Sequence, residues 1–224
     1  MLKKYFIKGT AVLEIIIRRE EEKDYHFVEE LNREAFWNLH VPGCDEHYLT
    51  NKMRNHPDFI RDMAFVAEVN EKIVGSIMYT KSSVENEIMM KLETLTFGPL
   101  CVLPEYQRKG IGTALINHTK NIAVQKGCPA IIILGDPHNY CKHGFKCCKD
   151  YKISWQDNKY PLGLLILELE KGIFNNHSWK FNESSVYTIN KNEAEEYDKR
   201  FGFKEKKYQY SQELFSMMCR AYIE

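Results

Sequence analysis

The sequence predicts a mixed α/β domain in which a mostly antiparallel central sheet is flanked by helices, followed by a helical C-terminal extension. Short β-branched runs such as residues 13–19 (LEIIIRR) alternate with amphipathic segments of helical period. Two apolar runs that meet at Asn70-Glu71 predict a β-hairpin over residues 64–81. A fully apolar run at 130–134 predicts a buried strand. Of 224 residues, 44% are hydrophobic and 28% charged, as in an ordinary globular domain.

The N-terminal half supplies helices on both sides of a break. Asp24 can cap a helix that carries Leu31 on its apolar face. Pro42-Gly43 ends this stretch, and Asp45 can cap a second helix. Residues 82–91 are polar and predict a loop after the hairpin.

The middle of the chain holds the most informative pattern. Residues 89–102 predict a strand interrupted by Gly98-Pro99, and this dipeptide predicts a bulge or a splayed edge. Pro104 ends the strand, and the motif QRKGIG (107–112) precedes an amphipathic helix that Gly127 terminates. The sequence therefore predicts a strand, a tight glycine-rich turn and a helix.

The last quarter of the chain differs in composition from the rest. Residues 175–192 are polar and rich in Asn and Ser, and Asn192 to Glu195 resembles a capping box that opens a short helix. Ser211 can cap a final amphipathic helix. We therefore predict that residues 171–224 form a helical extension that packs on the domain or on a second copy.

The glycine-rich turn has the properties of a phosphate cradle. Glycines two apart leave no Cβ to obstruct a ligand, and the free N–H groups of the following helix favour an anion. Arg108 and Lys109 add positive charge there. A Walker motif, GxxxxGK[ST], is absent, and a dinucleotide fingerprint would need a third glycine where Leu115 stands.

Together with a downstream Tyr-x-x-x-Gly-Phe turn, the pattern resembles the GNAT superfamily of N-acetyltransferases. Gln107, Gly110 and Gly112 match its acyl-CoA motif, and YCKHGF (140–145) matches its second motif. The segments GPLCVLPEYQRKGIG and LGDPHNYCKHGF resemble the bacterial subgroup of predicted acetyltransferases with a GDP element after the fifth strand. The resemblance covers roughly residues 13–170, so we expect a GNAT domain over 1–170 with its core at 13–170.

The resemblance implies a GNAT-like sheet splayed open between its fourth and fifth strands, with acetyl-CoA as cosubstrate in the gap. The pantetheine would pair with the strand 92–102 as an added strand, and the pyrophosphate would sit on the amides of 107–113. The residues expected to contact the cosubstrate are Leu100, Cys101, Val102, Gln107, Arg108, Lys109, Gly110, Ile111, Gly112, Thr113, Pro137, Tyr140 and Phe145.

The implied reaction is direct attack by a primary amine, of a small molecule or a protein, on the thioester. Tyr140 matches the family position for the acid that protonates the leaving thiolate; the alternative is a tyrosine that only packs on the cosubstrate. A backbone N–H at Cys101 or Val102 would stabilise the oxyanion. Glu93 is the first candidate for the general base, or else a solvated strand residue. The remaining acceptor-side candidates are His138, which could also act as the base, and Glu46 and His47, whose alternative role is surface capping.

Other chemistries find less support in the residues. A covalent relay through Cys101 or Cys141 would need a partner base and a lowered thiol pKa. Histidines and cysteines lack metal-ligand spacing, so no metal is expected. Two alternatives to the acetyltransferase stay open: a non-catalytic acyl-CoA-binding sensor on the same fold, and a transferase that uses a larger acyl-CoA.

Composition suggests a setting and excludes some partners. Seven cysteines without a CxxC pair are typical of free thiols in a reducing cytoplasm. The N-terminal apolar run contains Lys8 and Glu14 and lacks an Ala-x-Ala site, so neither a leader nor a membrane span is expected. A formal net charge of zero gives no indication of nucleic acid.

The charge is unevenly distributed along the chain. Residues 104–152 hold 8 basic and 3 acidic groups, whereas residues 1–103 hold 13 basic and 17 acidic groups. A phosphate-bearing cosubstrate and a cationic amine are therefore expected on different sides. A homodimer is possible.

Overall fold

A computed structural model of the protein describes residues 3–8 and 12–224, and all statements below concern these residues. The N-terminal half contains strands β1 (Lys3–Lys8) and β2 (Val12–Arg19), helices α1 (Tyr25–Phe36) and α2 (Glu46–Arg54), and strands β3 (Phe65–Val69), β4 (Lys72–Asn86) and β5 (Lys91–Val102). The second half contains α3 (Ile111–Gln125), β6 (Ala130–Leu134), α4 (Pro137–Tyr140), β7 (Lys146–Cys147), β8 (Ile153–Ser154), β9 (Leu164–Glu168), β10 (Trp179–Asn182), α5 (Lys191–Asp198) and α6 (Tyr210–Arg220).

The strands form one sheet in the order β1-β2-β3-β4-β5-β6-β9-β7, with β10 beside β4 and β8 beside β10. All pairs are antiparallel except β5–β6 and β10–β8. The predicted mixed α/β class with a mostly antiparallel sheet is therefore confirmed. The predicted hairpin is also present as β3 and β4, which meet at Asn70-Glu71.

Helices cover opposite faces of this sheet. The Tyr79 hydroxyl is 2.8 Å from the Thr119 hydroxyl of α3, whereas the neighbouring Met78 packs in a buried cluster with Met53 of α2. Successive strand residues point to opposite faces, so α3 lies on one face and α2 on the other. We call these the α3 face and the α2 face.

Three local predictions are wrong. Residues 82–86 are strand rather than loop, because Ser82 to Glu85 pair with β5 on one side and β10 pairs with residues 83–86 on the other. The helix α5 is capped by Asn190, whose side chain accepts from the N–H of Asn192. Ser211 lies within α6 and donates its hydroxyl to the carbonyl of Leu39 on the core domain.

The polar stretch after residue 175 also contains a strand that its composition does not reveal. β10 pairs antiparallel with β4, and Trp179 and Phe181 are fully buried in a cluster with Val84. The extension is fastened further along by Arg33 of α1, whose Nε donates to Asp198 at 2.6 Å. The C-terminal extension thus packs on the same sheet, and the predicted division at residue 170 stays a prediction.

Candidate active site

The sheet opens between β5 and β6. These two parallel strands share a single registered pair, Leu95 with Ile131, and diverge toward their C-terminal ends. β5 also carries a bulge, because Met78 of β4 faces both Gly98 and Pro99 where the register shifts. The irregularity predicted at Gly98-Pro99 is therefore present, three to four residues beyond the last β5–β6 pair. Beyond Leu95, the edge of β5 toward β6 has no strand partner among the described residues.

The open edge of β5 leads to the glycine-rich turn. Gly110 has a φ of 81° and precedes the first turn of α3, and Arg108 also has a positive φ, of 58°. The Gln107 side chain donates to the carbonyl of Val102 at 3.1 Å, which fastens the turn to the end of β5. The amides of the first turn of α3 have no acceptor within the helix, and no side chain caps them. Gln107, Arg108, Lys109 and Thr113 are all exposed there.

This turn fits a phosphate-bearing ligand. A Cβ built on Gly112 would meet only a methyl group of Val102, at 3.9 Å, so the approach to the first-turn amides is open. The amides and the two cations provide the donors and the positive charge that a pyrophosphate needs. The other predicted contacts on this side are backbone positions: Leu100 and Val102 are half-buried, Ile111 is buried, and all three pack in the main core.

Tyr140 lies at the opening on the α3 face. Its ring packs against Phe97 of β5 and Phe145, with centroid distances of 5.7 and 5.8 Å, and its edge fills the space where Gly135 lacks a side chain. A Cβ on Gly135 would come within 2.4 Å of this ring, so glycine is required there. Burial raises the pKa of Tyr140 to about 12, and the nearby Asp136 adds to the rise. The hydroxyl is therefore protonated at neutral pH and can donate. Pro137 is the first residue of the short α4 that holds Tyr140 in place.

The predicted acceptor-side residues are placed differently from one another. Glu46 is half-buried at the start of α2, and its charge adds to burial in raising the pKa of Cys101 to about 12. Cys101 lies on the α2 face, where its sulfur is 3.2 Å from the Ser76 hydroxyl. Glu46 is thus near the end of β5 on this face. The raised pKa and full burial of Cys101 oppose a covalent relay through this thiol.

His47 does not line an open surface, which corrects the expectation for this residue. Its side chain is fully buried, with Nε2 3.1 Å from Asp198 and its ring against Tyr197 and Phe201. Burial lowers its pKa, so the neutral ring serves as part of the contact between α2 and the extension. A side chain enclosed in this way is not accessible to an acceptor.

Glu93 and His138 are exposed. Glu93 lies on β5 opposite Ser83, two residues before the point where β5 and β6 part. His138 lies on α4, two residues before Tyr140, and its backbone N–H donates to the Asp136 side chain. Neither side chain accepts a hydrogen bond from another described residue. Both stay candidates for the acceptor side.

The extension reaches the opening as well, which sequence reasoning missed. The Tyr187 hydroxyl is 3.4 Å from the carbonyl oxygen of Gly98 and 3.2 Å from the Thr80 hydroxyl. The buried hydroxyl of Thr96, one residue beyond Leu95, has no hydrogen-bond partner among the described residues. No local signal marks these residues, because they come together only when β10 pairs with β4.

Two absences concern the described residues only. No helix among them is long and apolar enough to cross a membrane. No group of three or more His, Cys, Asp or Glu side chains in this part of the chain could hold a metal ion.

Comparisons with known proteins agree with this geometry. The sequence profile of the acetyltransferase (GNAT) family matches residues 24–145. The chain is 33% identical over 109 residues to YjhQ, an uncharacterised N-acetyltransferase of Escherichia coli strain K12, which is 49% of this chain and 56% of YjhQ. The chain belongs to the GNAT family. The match spans little more than half of this relative's length.

Solved structures share the fold at low sequence identity. The crystal structure of YhbS, a GNAT family N-acetyltransferase of Escherichia coli in complex with CoA, superposes with a TM-score of 0.68 at 18% identity. This match covers 81% of our chain and 96% of YhbS. A GNAT acetyltransferase of Brucella melitensis in complex with acetyl-CoA gives a TM-score of 0.58 at 20% identity, over 77% of our chain and 97% of that protein. The predicted GNAT resemblance is therefore confirmed.

Proposed function

We propose that the protein transfers an acetyl group from acetyl-CoA to a primary amine by direct attack. The observation that carries the proposal is the opening between β5 and β6, which leaves a free strand edge running from Leu95 to a helix N-terminus with unbonded amides. A ligand with an amide-rich arm and a phosphate head matches this sequence of sites. The CoA and acetyl-CoA complexes of the YhbS and Brucella structures support the choice of ligand.

Each part of the cosubstrate has a proposed partner in this chain. The segment 107–113 would hold the pyrophosphate through first-turn amides, with Arg108 and Lys109 adding charge. The backbone of Leu100, Cys101 and Val102 would pair with the pantetheine arm and present a donor for the oxyanion. These roles follow from the free edge of β5 and from the open space at Gly112.

Tyr140 is proposed to protonate the thiolate that leaves. Its hydroxyl has a raised pKa, lies in a ring cluster with Phe97 and Phe145, and has no hydrogen-bond partner among the described residues. The hydroxyl is therefore free to donate to a sulfur in the opening. The attacking amine must lose protons, and Glu93 or His138 could accept one from solvent-accessible positions.

The test is thiol release in the presence of amines. The purified protein is mixed with acetyl-CoA and a panel of primary amines, and free CoA thiol is measured together with the mass of the product. Amine-dependent thiol release is expected, accompanied by a mass increase of one acetyl group on the amine. Stabilisation by CoA without amine-dependent release would instead indicate a sensor. Faster turnover with propionyl- or succinyl-CoA would indicate a larger acyl donor.

A further inference from the structure

The segment Glu183 to Tyr187 is fixed on the α2 face of the sheet, beside the bulge of β5. The Ser184 hydroxyl donates to Asp58 at 2.7 Å, and Val186 is buried in the cluster formed with Met53 and Met78. The Tyr187 hydroxyl donates to the carbonyl of Gly98. The segment therefore covers the side of β5 that is opposite to Tyr140.

Below this segment, four hydroxyl side chains form a polar stripe in an otherwise apolar interior. They lie on the α2 face of β4 and β5, and each is at most 8% exposed: Thr80, Ser82, Thr94 and Thr96. Ser82 and Thr94 bond each other at 2.8 Å, and Thr80 is bonded to Tyr187. Thr96 has a buried hydroxyl without a protein partner. A buried hydroxyl normally has a partner, so the Thr96 oxygen keeps an unfilled hydrogen-bonding position one residue beyond the last β5–β6 pair.

Glu183 lies at the edge of this stripe. It follows the last β10–β4 pair, Asn182 with Ser83, and shares the face of Phe181, so it continues toward Ser82. Its side chain is half-buried and forms no hydrogen bond or ion pair within the described part of the chain. An unpaired carboxylate in such surroundings is costly, which is why such groups are often functional.

We propose that the C-terminal extension builds the acceptor site for a primary amine, with Glu183 as its general base and Tyr187 as a positioning residue. The proposal rests on the acetyl transfer proposed above and assigns the role of base to Glu183 in place of Glu93 or His138. Thr96 would accept a hydrogen bond from the amine, and Tyr187 would hold the Gly98 carbonyl at the bulge. The amine would then lie on the α2 face of β5, with Tyr140 on the other face.

The proton and the bonds balance as follows. The ammonium group of the acceptor gives one proton to the Glu183 carboxylate, which leaves a neutral amine and a carboxylic acid. The nitrogen forms a bond to the acetyl carbon, and the bond between this carbon and sulfur breaks. The thiolate takes a proton from Tyr140, and Tyr140 regains one from the new amide nitrogen. Glu183 returns its proton to solvent, so each turnover yields an amide, a thiol and one proton.

The ionisation of Glu183 sets the expected pH dependence. Burial raises its pKa to about 7, and no charged neighbour contributes to this shift. The base form therefore increases as the pH rises through neutrality. The titratable or charged groups that face the segment include Tyr187 within it, His56 and Asp58 before β3, and Lys52 of α2, whose ammonium group donates to the carbonyl of Thr188. The residues of β4 and β5 that share this face, Thr80, Ser82, Thr94 and Thr96, carry no charge. Burial raises the pKa of Tyr187 far above neutrality, so this hydroxyl stays protonated over the tested range.

The kinetic test compares Glu183→Gln with a matched control. Glu85→Gln makes the same change on β4 opposite Lys180 and on the other face of the sheet. We expect kcat/KM of the wild type to rise through about pH 7. Glu183→Gln should lose about 100-fold at pH 8 and should lose this rise, whereas Glu85→Gln keeps both. Loss of the rise in Glu93→Gln but not in Glu183→Gln would overturn the assignment. Tyr187→Phe should lower kcat several-fold and leave the rise in place.

A binding test separates this inference from the proposed function. The same amines are titrated calorimetrically into wild-type protein and both glutamine variants, each saturated with CoA. Weaker amine binding by Glu183→Gln, with unchanged binding by Glu85→Gln, supports the acceptor site even if no amine is acetylated. Absence of acetylation alone would therefore overturn only the proposed function. Equal binding by all three proteins, or no binding to the wild type, would overturn the acceptor site.

Discussion

The two sides of the opening are built in different ways. The glycine-rich turn at 107–113 is one continuous segment, its cations are exposed, and the backbone amides proposed to bind the pyrophosphate are positioned by local geometry. The segment 183–187 is held by contacts to Asp58, Thr80 and Gly98, which lie about 90 to 125 residues earlier in the chain. A fixed chemical group such as a pyrophosphate can be recognised locally. The proposed acceptor site is instead assembled from parts that are distant in the sequence.

The sharpest test of the local side is Gly112→Asp. The new side chain has space, because only Val102 lies near, and it places a negative charge beside the first-turn amides at the positive end of the helix dipole. CoA affinity should fall by about 100-fold or more, roughly 2.7 kcal/mol, because the carboxylate repels phosphate. The unliganded fold should be unchanged or more stable by about 0.3–1 kcal/mol. Thermal unfolding with and without CoA measures both quantities.

The control for this variant is Asn117→Asp, which adds the same charge at an exposed position farther along α3. It should bind CoA like the wild type. If CoA stabilised Gly112→Asp as strongly as the wild type, the pyrophosphate would lie elsewhere. The turn at 107–113 would then no longer be the cosubstrate side of the comparison.

Tyr140→Phe tests the group that lies between the two sides. The ring contacts with Phe97 and Phe145 are kept, so CoA affinity should be unchanged. Loss of the hydroxyl should lower kcat by about 100-fold, the lower end of the range for general acid catalysis. Tyr151→Phe, at a half-buried tyrosine in the separate cluster around Phe174, serves as the control. Steady-state kinetics that show the wild-type kcat in Tyr140→Phe would leave this tyrosine with a packing role alone.

The same contrast explains what the sequence could predict. The residue types of the QRKGIG turn and the Gly98-Pro99 irregularity are dictated by local backbone needs, whereas Tyr140 is implied by the resemblance to the GNAT superfamily. The structure places all three at the opening. These needs leave a pattern in the sequence that a reader can recognise. The fold class could be predicted for a similar reason, because the spacing of apolar residues indicates whether a segment is a helix or a strand and which of its faces is buried.

The side of the opening proposed to bind the acceptor contains residues whose position could not be predicted from the sequence. Residues 175–192 are mostly polar, and the spacing of their few apolar residues does not predict that Trp179 and Phe181 of β10 are buried in the core. His47 follows Glu46 in a segment that resembles a surface cap, yet Asp198 and Tyr197 of the extension bury it. Side chains that strand pairing or helix docking brings together over more than 100 residues show no characteristic spacing in the sequence. Three-dimensional structure is needed for these residues.

The smallest expected effect concerns stability rather than rate, and it isolates Glu183 from catalysis. Its carboxyl has a pKa raised from about 4.5 to about 7, so the folded state holds this proton more tightly than the unfolded state. The free energy of unfolding of the wild type should therefore decrease as the pH rises from about 4.5 through 7. Glu183→Gln lacks this decrease. Its stability relative to the wild type should rise by about 2 kcal/mol between pH 5 and pH 8, after allowance for partial solvent exposure.

Urea unfolding of the wild type, Glu183→Gln and Glu85→Gln at both pH values measures this change. A stability difference between Glu183→Gln and the wild type that is the same at pH 5 and pH 8 would show that Glu183 is not held in a desolvated site. If the stability difference between Glu183→Gln and the wild type grows from pH 5 to pH 8, and Glu183→Gln also loses the rise in kcat/KM, the same carboxyl group accounts for both effects. Burial of one unpaired carboxylate would then destabilise the fold over the same pH range in which it becomes able to accept a proton. An unpaired, partly buried carboxylate with a perturbed pKa is typical of a functional site.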